Sequence, residues 1–542
     1  MLQTRLWIMG LLACAGLSIA SAAAASSIAG MVKYANGKPL NGAFISANQD
    51  KAIYTTTVFS DDAGKFRFPD LPDGSYKVWA FARGFRDSVR SNVVVKKGKT
   101  AEISFPLSEE KDPLALFNQA TAGEWLASLP GSESEKHLIS KHCSGCHHNL
   151  SQLMKHRFTK EDWLKVMRVM EQLTSAHAVF GTINEPSRDG RPRPPGTWMA
   201  KPGGIWMFAP ADEIASYLEK VQGPNSPIPS IRFHPRPTGK ATQAVITYYR
   251  IPRYNAAPHD VQIDKQGNIW YNDFKGPYIG KLDPKSAEFK EYKIPVPPAV
   301  MPGSDNMWVL PESNDDSVWL HERWAHRLKR FDPKTEKVIG DFTEAGADGI
   351  DAEGKTLLSP ATRLDLTTGE VTYIRYNGST AGYGTALDSK GIGYRGGIAD
   401  SDIKRMNPQT GEVVSYPTPT PRSGPRRGCV DADDNPWFGE WYGGKIAKLD
   451  VNAGKIIEYS VSVPFAAFYE VCTDKKNGNT WGYDWHNDRL VRVNSKSGEV
   501  TEYPMPTLDN ESRRTVVDTS TNPPSVWIYG MMEGSIIRVQ AP

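Results

Sequence analysis

Cysteine is scarce here: five residues in a chain of 542, beside eleven histidines. That supply excludes a disulfide-stapled scaffold, which needs dense cysteine in a short chain. Charge of one sign is missing too, since 64 basic residues face 61 acidic ones for a formal net charge of +3. Such a balance offers no field for nucleic acid, and none is expected as a partner. Past residue 25 no apolar run is long enough to cross a bilayer, so no transmembrane span is expected. What abounds is punctuation: 47 glycines, 40 prolines and 15 tryptophans break the chain into short apolar runs, as turn-rich β structure requires. The length exceeds what one core can fill, and three domains are expected.

The first residues stand apart. "MLQTRLWIMGLLACAGLSIASAAAASS" has a basic residue, an apolar stretch and small residues at Ala20–Ala24. Residues 1–25 therefore read as a signal peptide, and the expected location is periplasmic. Cys14, in "LLAC", loosely resembles a lipoprotein box, but the apolar run continues past it, which favours ordinary cleavage near residues 22–25.

Residues 27–108 alternate apolar and polar between turn signals at Asn36-Gly37, Ala63-Gly64 and Asp73-Gly74. "GKPLNGAFI", "DDAGKFRFPDLPDGSYKVWA" and Gly84 give this stretch its resemblance to the carboxypeptidase regulatory-like domain, which implies a small β-sandwich acting as a spacer or docking module.

Residues 112–222 change to helical spacing, with apolar residues three and four apart in "EWLASLPGSESEKHLISKHCSGC" and "TKEDWLKVMRVMEQL". At their centre stands "KHCSGCHHNLSQLMKH", residues 141–156, which holds a C-x-x-C-H motif. Two cysteines at that spacing suit thioether bonds to one porphyrin, with the next histidine under the iron. A redox dithiol would follow a strand in a βαβ unit, which is not visible here. A zinc site needs a second ligand pair, which His142, His148 and His156 could supply, though structural zinc sites rarely pack them so tightly around one pair. The segment resembles a class I cytochrome c. That resemblance implies one covalent haem c on Cys143 and Cys146, with His147 as proximal iron ligand. Met199, in the loop before the last helix, is the expected sixth ligand, with Met170 the alternative. Met154, Met167 and Met207 fit core filling better, and His156 or His177 would give a bis-histidine site.

From residue 243 to 542 the chain repeats. "HDVQIDKQGNIWYND", "NMWVLPESNDDSVWLHE", "YGTALDSKGIGYRGG", "RRGCVDADDNPWFGE", "YEVCTDKKNGNTWGYD" and "RRTVVDTSTNPPSVWIYG" align on an aromatic residue, most followed by a strand such as "IGKLDP" or "LVRVNSKSGEV". A period of roughly 42–45 residues belongs to propeller blades. A degenerate unit at 346–371 makes seven, and "AVITYYRIP" at 244–252 resembles the outer strand missing from the last, so strand exchange closes the ring and removes two exposed edges. The fold class is thus multidomain and mainly β: a small β-sandwich, an α-helical cytochrome c-like domain and a seven-bladed β-propeller.

Counting back from the shared aspartate places His259, Asn306, Tyr383, Arg426, Tyr469 and Arg513 at one register, where each innermost strand begins. A second ring follows the aromatic residue: Asp273, Glu322, Glu440 and Asp484. His259 is the expected proton-transfer group, with Asp273 to orient it or hold a metal. Arg426, Arg427, Arg513 and Arg514 are expected to converge on an anionic group. His321, His326 and His486 read as surface or loop residues. Cys429 and Cys472 share a register on successive units, which fits a disulfide or two adjacent thiols equally.

The first repeat and "IGKLDP" resemble virginiamycin B lyase-type (streptogramin lyase) propellers over about three hundred residues. That family performs elimination with a histidine and magnesium-holding acids; here position 257 is alanine where an acid is expected. Three functions follow as expectations. The first is a haem oxidoreductase whose propeller binds a small, anionic substrate, with room in the expectation for an additional redox cofactor, and whose haem passes electrons to a soluble or membrane acceptor protein. The second is a lyase or hydrolase dependent on magnesium or another divalent metal. The third is a non-catalytic docking module for a redox partner.

Overall fold

The computed structural model describes residues 26–144, 150–169, 211–296, 303–310, 316–322, 327–343, 345–351 and 354–542. The leader, Cys146, His147, Met170 and Met199 lie outside the described residues.

The first unit is two facing sheets. Ser27–Tyr34 lies between Lys65–Arg67 and Thr100–Leu107, opposite a sheet ordered Tyr54–Phe59, Phe44–Gln49, Gly74–Phe81 and Ser88–Val95. Alternation turns Ile28, Val32, Ile45, Val58, Val78 and Phe105 into the space between them. Gly30 is required by close approach, because a Cβ there would stand 1.6 Å from the Ile103 carbonyl oxygen.

The described helices between residues 113 and 222 are short. Ala122–Ser128 and Glu133–Leu138 each begin with a capping box, Thr121 with Glu124 and Ser132 with Glu135. A π-helical turn, Ile139–Cys143, follows directly, and Ala211–Gln222 closes the unit. Trp125, Leu126, Leu150, Trp163, Ile214 and Leu218 form its core, which also takes in Phe465 from the C-terminal repeats.

Glu124 ties the three units together. It accepts from Arg83 of the sandwich at 3.1 Å and from the His234 amide of the connecting segment at 2.9 Å. The His234 ring in turn bonds Asn487 of the repeats at 2.8 Å. Burial would raise the Glu124 carboxyl, but Arg83 and His234 hold it below the usual range.

From residue 258 onward six four-stranded antiparallel sheets follow one another, and a seventh set of four belongs to an eight-stranded sheet. The six take their strands consecutively, so the repeats are blades built from local hairpins. The shared aspartate explains their form. Asp264 accepts from the amides of Gln266 and Asn268 at 2.9 Å each, capping the turn, while its other oxygen takes the Trp270 indole N–H at 2.9 Å. Asp431 does the same for Asp433, Asn435 and Trp437. One residue thus closes a hairpin and fixes the tryptophan that packs the blade.

Innermost strands touch between the first and second blades and from the fourth blade to the last, and Val516–Asp518 of the last touches Pro258–Ile263 of the first. At the degenerate third blade the ring continues through a shared core of Trp319, Ala347, Leu357 and Leu364, and Thr385 donates to Asp348 at 3.2 Å. The arrangement is a closed toroid. Val245–Arg250 supplies the outer strand of the last blade, running antiparallel to Ser535–Gln540. The expectation for that outer edge needs correction: Val245–Arg250 also pairs with Tyr54–Phe59, so sandwich and blade share one eight-stranded sheet. Strand exchange closes the ring, and the sandwich covers the edge that exchange alone leaves open.

Candidate functional site

The innermost strands do not run regularly into the channel. Pairing jumps from Asp273↔Pro258 to Tyr271↔Val261, from Pro425↔Glu440 to Gly428↔Phe438, and from Phe468↔Asp484 to Val471↔Gly482. At each jump two residues oppose one, a β-bulge. The bulged pairs are His259–Asp260, Arg426–Arg427 and Tyr469–Glu470. A regular strand would send neighbours to opposite faces; a bulge re-aims them, so both members of each pair join one cluster.

Ion pairs hold the centre of this cluster. Asp260 is fully buried, lies 3.4 Å from Arg427 and 3.8 Å from Arg514, and accepts from the Met307 amide at 3.2 Å. Burial would raise its carboxyl, but Arg514, His259 and Arg427 bring it down to about 2. Arg427 also donates to Asn306 at 3.0 Å, and Arg514 pairs with Glu470 at 3.1 Å. Burial pushes Glu470 up to about 7 against the pull of Arg514. Its second oxygen, Oε2, is buried without a hydrogen-bond partner among the described residues.

Aromatic rings surround the other two arginines. The Arg426 guanidinium lies 3.8 Å from the centre of the Tyr469 ring, 4.6 Å from Tyr383 and 4.7 Å from Trp441. Arg513 lies 5.1 Å from Phe274, 5.6 Å from Trp485 and 5.7 Å from Tyr469. The Tyr383 and Tyr469 hydroxyls share a hydrogen bond. Burial works to raise Tyr383, yet Arg426 and Arg427 lower it to about 7, while burial leaves Tyr469 raised. One phenol of the pair is therefore acidic enough to exchange a proton near neutral pH.

His259 stacks on Phe274 at 5.0 Å and meets Asp260 at 3.1 Å through Nδ1. A carboxylate can only accept, so Nδ1 carries the hydrogen and the lone pair stands on Nε2. Burial lowers this imidazole to about 4, keeping it neutral at pH 7. A neutral imidazole oriented by a buried acid is a general base in form.

The structure thus brings together His259, Tyr383, Arg426, Tyr469 and Arg513, with Asn306 joined through Arg427. Asp273 is engaged elsewhere: it pairs with Arg253 and accepts from the amides of Lys275 and Gly276 at 2.7 and 2.9 Å. Asp484 likewise caps its own turn, taking the Ala467 amide at 3.0 Å and the Asn487 side chain at 2.7 Å. Glu322 faces Lys329 at 3.5 Å. Burial, with the nearby Glu458, pushes Glu440 up to about 8. Among the described residues no three His, Cys, Asp or Glu side chains are grouped to hold a metal ion, so the second ring does not fit a divalent-metal site. Sequence reasoning missed Asp260 and Glu470, whose only signal is adjacency to a ring residue. His486 lies in a turn but is buried, 2 % exposed, against Trp441 at 5.8 Å.

In the helical unit, Cys143 is half-buried and packs on the apolar cluster. Three buried donors beside it, Trp125 Nε1, Trp163 Nε1 and His142 Nδ1, have no partner among the described residues. An apolar cluster with orphaned donors fits a large ring system bearing carboxylates, such as a porphyrin. Met154 is buried in that core, Met167 packs on it, and His156 stacks on Phe158 at 5.7 Å.

Residues 27–108 match the carboxypeptidase regulatory-like domain family. No curated protein matches the chain. Among solved structures the chain is similar to selenomethionine-substituted virginiamycin B lyase from Staphylococcus aureus, at 19% identity and TM-score 0.46, covering 55% of this chain and 100% of that one. It is similar to a streptogramin B lyase at 20% identity and TM-score 0.46, covering 56% and 100%. It is also similar to Kuenenia stuttgartiensis hydrazine synthase at 8% identity and TM-score 0.43, covering 54% and 97%.

Proposed function

We propose that the chain is an exported c-type haem oxidoreductase. The channel cluster binds a small substrate with an anionic oxygen, and the helical unit carries the haem that takes its electrons. Cys143, Cys146 and His147 would hold the group, with Met199 or Met170 as a further ligand. Haem, when bound there, supplies a single-electron acceptor.

The protein's own residues prepare the substrate. Arg426 and Arg513, whose charges lie against aromatic rings, would meet the anion beside Arg427 and Arg514, which are paired with Asp260 and Glu470. His259, neutral and oriented by Asp260, would take a proton at Nε2. Tyr383 would hold or return a proton at its hydroxyl. The aromatic shell around the arginines excludes water and strengthens each of these contacts.

One observation carries the reading. The helical unit that holds the C-x-x-C-H motif touches the arginine–tyrosine cluster through a chain of ring and hydrogen-bond contacts that starts at His137, on the helix preceding Cys143. His137 meets Phe465 at 5.2 Å, the Phe465 carbonyl meets His486 at 2.8 Å, and Trp441 lies 5.8 Å from both His486 and Tyr469. The test is spectroscopic. Protein from a host competent in cytochrome maturation should show the reduced α-band, and candidate oxyanion substrates should reduce it without added metal. A colourless preparation overturns the proposal, as does haem that no small molecule but only a partner protein reduces, which would favour the docking-module reading.

A lyase reading is favoured by the His259–Asp260 pair alone, since that pair needs no redox centre. Its mark is turnover unchanged by haem oxidation state. The side chains present do not support a divalent metal in it.

A further inference from the structure

Cys429 and Cys472 are taken up by none of this chemistry. They occupy equal positions on neighbouring innermost strands, Cys429 opposite Trp437 in one blade and Cys472 opposite Trp481 in the next. Both are free and half-buried. The strands that carry them are in contact, and Thr473 donates to the Val430 carbonyl at 2.8 Å across the same seam. Gly439 packs beneath the seam so closely that a Cβ would stand 2.9 Å from Phe468. The thiols are therefore set facing by two rigid strands, not by flexible loops.

We propose that Cys429 and Cys472 are a reversible dithiol–disulfide pair that staples these two blades through exchange with external disulfides. This inference is independent of the haem reading.

The chemistry balances without a further reagent. The Cys429 sulfur attacks one sulfur of an external disulfide R–S–S–R, forming Cys429–S–S–R and releasing one thiol, R–SH. The Cys472 sulfur then attacks Cys429, forming the internal disulfide and releasing the second R–SH. The pair loses two protons and two electrons, and the external disulfide gains both. The order of attack follows from the contact between the thiols. Cys472 donates its S–H to Cys429, and that bond, followed by burial, raises Cys472 well above an ordinary thiol. Cys472 thus stays protonated, which leaves Cys429 to attack first. Arg514, which senses both sulfurs, adds a nearby positive charge. The staple would lie two residues beyond Arg427 and Glu470, so its state fixes the spacing of two ion-paired members of the channel cluster.

The full-length protein is incubated with glutathione disulfide, unfolded in acid, alkylated and mapped by peptide mass spectrometry. The expected product is one cross-linked peptide pair joining Cys429 to Cys472, lighter by two hydrogens and released by dithiothreitol. Cys472→Ser should instead leave glutathione on Cys429, since attack proceeds and resolution cannot. The proposal is overturned if both cysteines of the wild-type protein remain fully alkylatable after treatment, or if each carries its own glutathione. The wild-type map alone decides the matter should the variant fail to fold.

Discussion

Asp260 should be the most sensitive single position in the channel. Replacing it with alanine removes the carboxylate that faces Arg427 at 3.4 Å and Arg514 at 3.8 Å, leaving Glu470 to face Arg514. Breaking a buried pair by deleting one partner costs about 3–5 kcal/mol, because the charge left behind is neither solvated nor matched. At about 2–4 °C per kcal/mol for a unit of this size, the melting temperature should fall by on the order of 10 °C. Asp260→Asn keeps the shape and an acceptor for the Met307 amide, so its smaller loss measures the charge alone. Adding Arg427→Met to Asp260→Asn should restore part of the loss, giving a coupling energy of at least about 1 kcal/mol. The pH dependence gives an independent check. The folded carboxyl is depressed to about 2 from its ordinary 3.8. Its stabilisation, about 2 kcal/mol, is therefore present above pH 4 and lost as pH falls toward 2. Thermal melts of wild type and Asp260→Asn should converge over that interval. Melting within about 2 °C of wild type for Asp260→Ala would refute the argument that the arginines depend on this charge.

Further outcomes follow from the same geometry. Tyr383 should ionise near its lowered value of about 7, seen as an ultraviolet phenolate step that Tyr383→Phe abolishes and that Arg426→Met shifts upward. His486, buried and lowered to about 4, contributes stability present above pH 6.5 and lost as pH falls toward 4; His486→Gln should remove up to about 3 kcal/mol of that slope in chemical denaturation. Gly123→Ala places a methyl 1.9 Å from Asn487 Oδ1, which His234 and Asp484 hold in place, so the helical unit should undock and become a target for limited proteolysis.

How much of this was legible in the sequence depends on the range of the forces involved. The blades were legible because they are local: Asp264 caps its turn two to four residues on and catches Trp270 six residues on, and the same spacing recurs at Asp431. The outer strand at 245–250 was also readable, since its pattern matches what the last repeat lacks. Its second partner was not, because pairing Thr56 with Thr247 is a tertiary event that no local pattern encodes.

The site divides along the same line, and the bulges explain where. Register counting keeps one face of each strand and so selects His259, Arg426 and Tyr469. It discards their neighbours, which a regular pleat would bury on the other side. At the three bulges that rule fails, and the discarded residues return as Asp260, Arg427 and Glu470. Arg427 had been noticed for its charge; the two acids had not. Their presence changes the chemistry. The two internal ion pairs offset part of the charge of the four arginines in a site walled by aromatic rings. Under the proposed function a flat or unsaturated oxyanion is expected to bind in preference to a small inorganic ion, because only the former can also stack on Tyr383, Tyr469 and Trp485. Competition between an aromatic carboxylate and sulfate for the channel measures that preference, and equal affinity would mean that the rings merely pack.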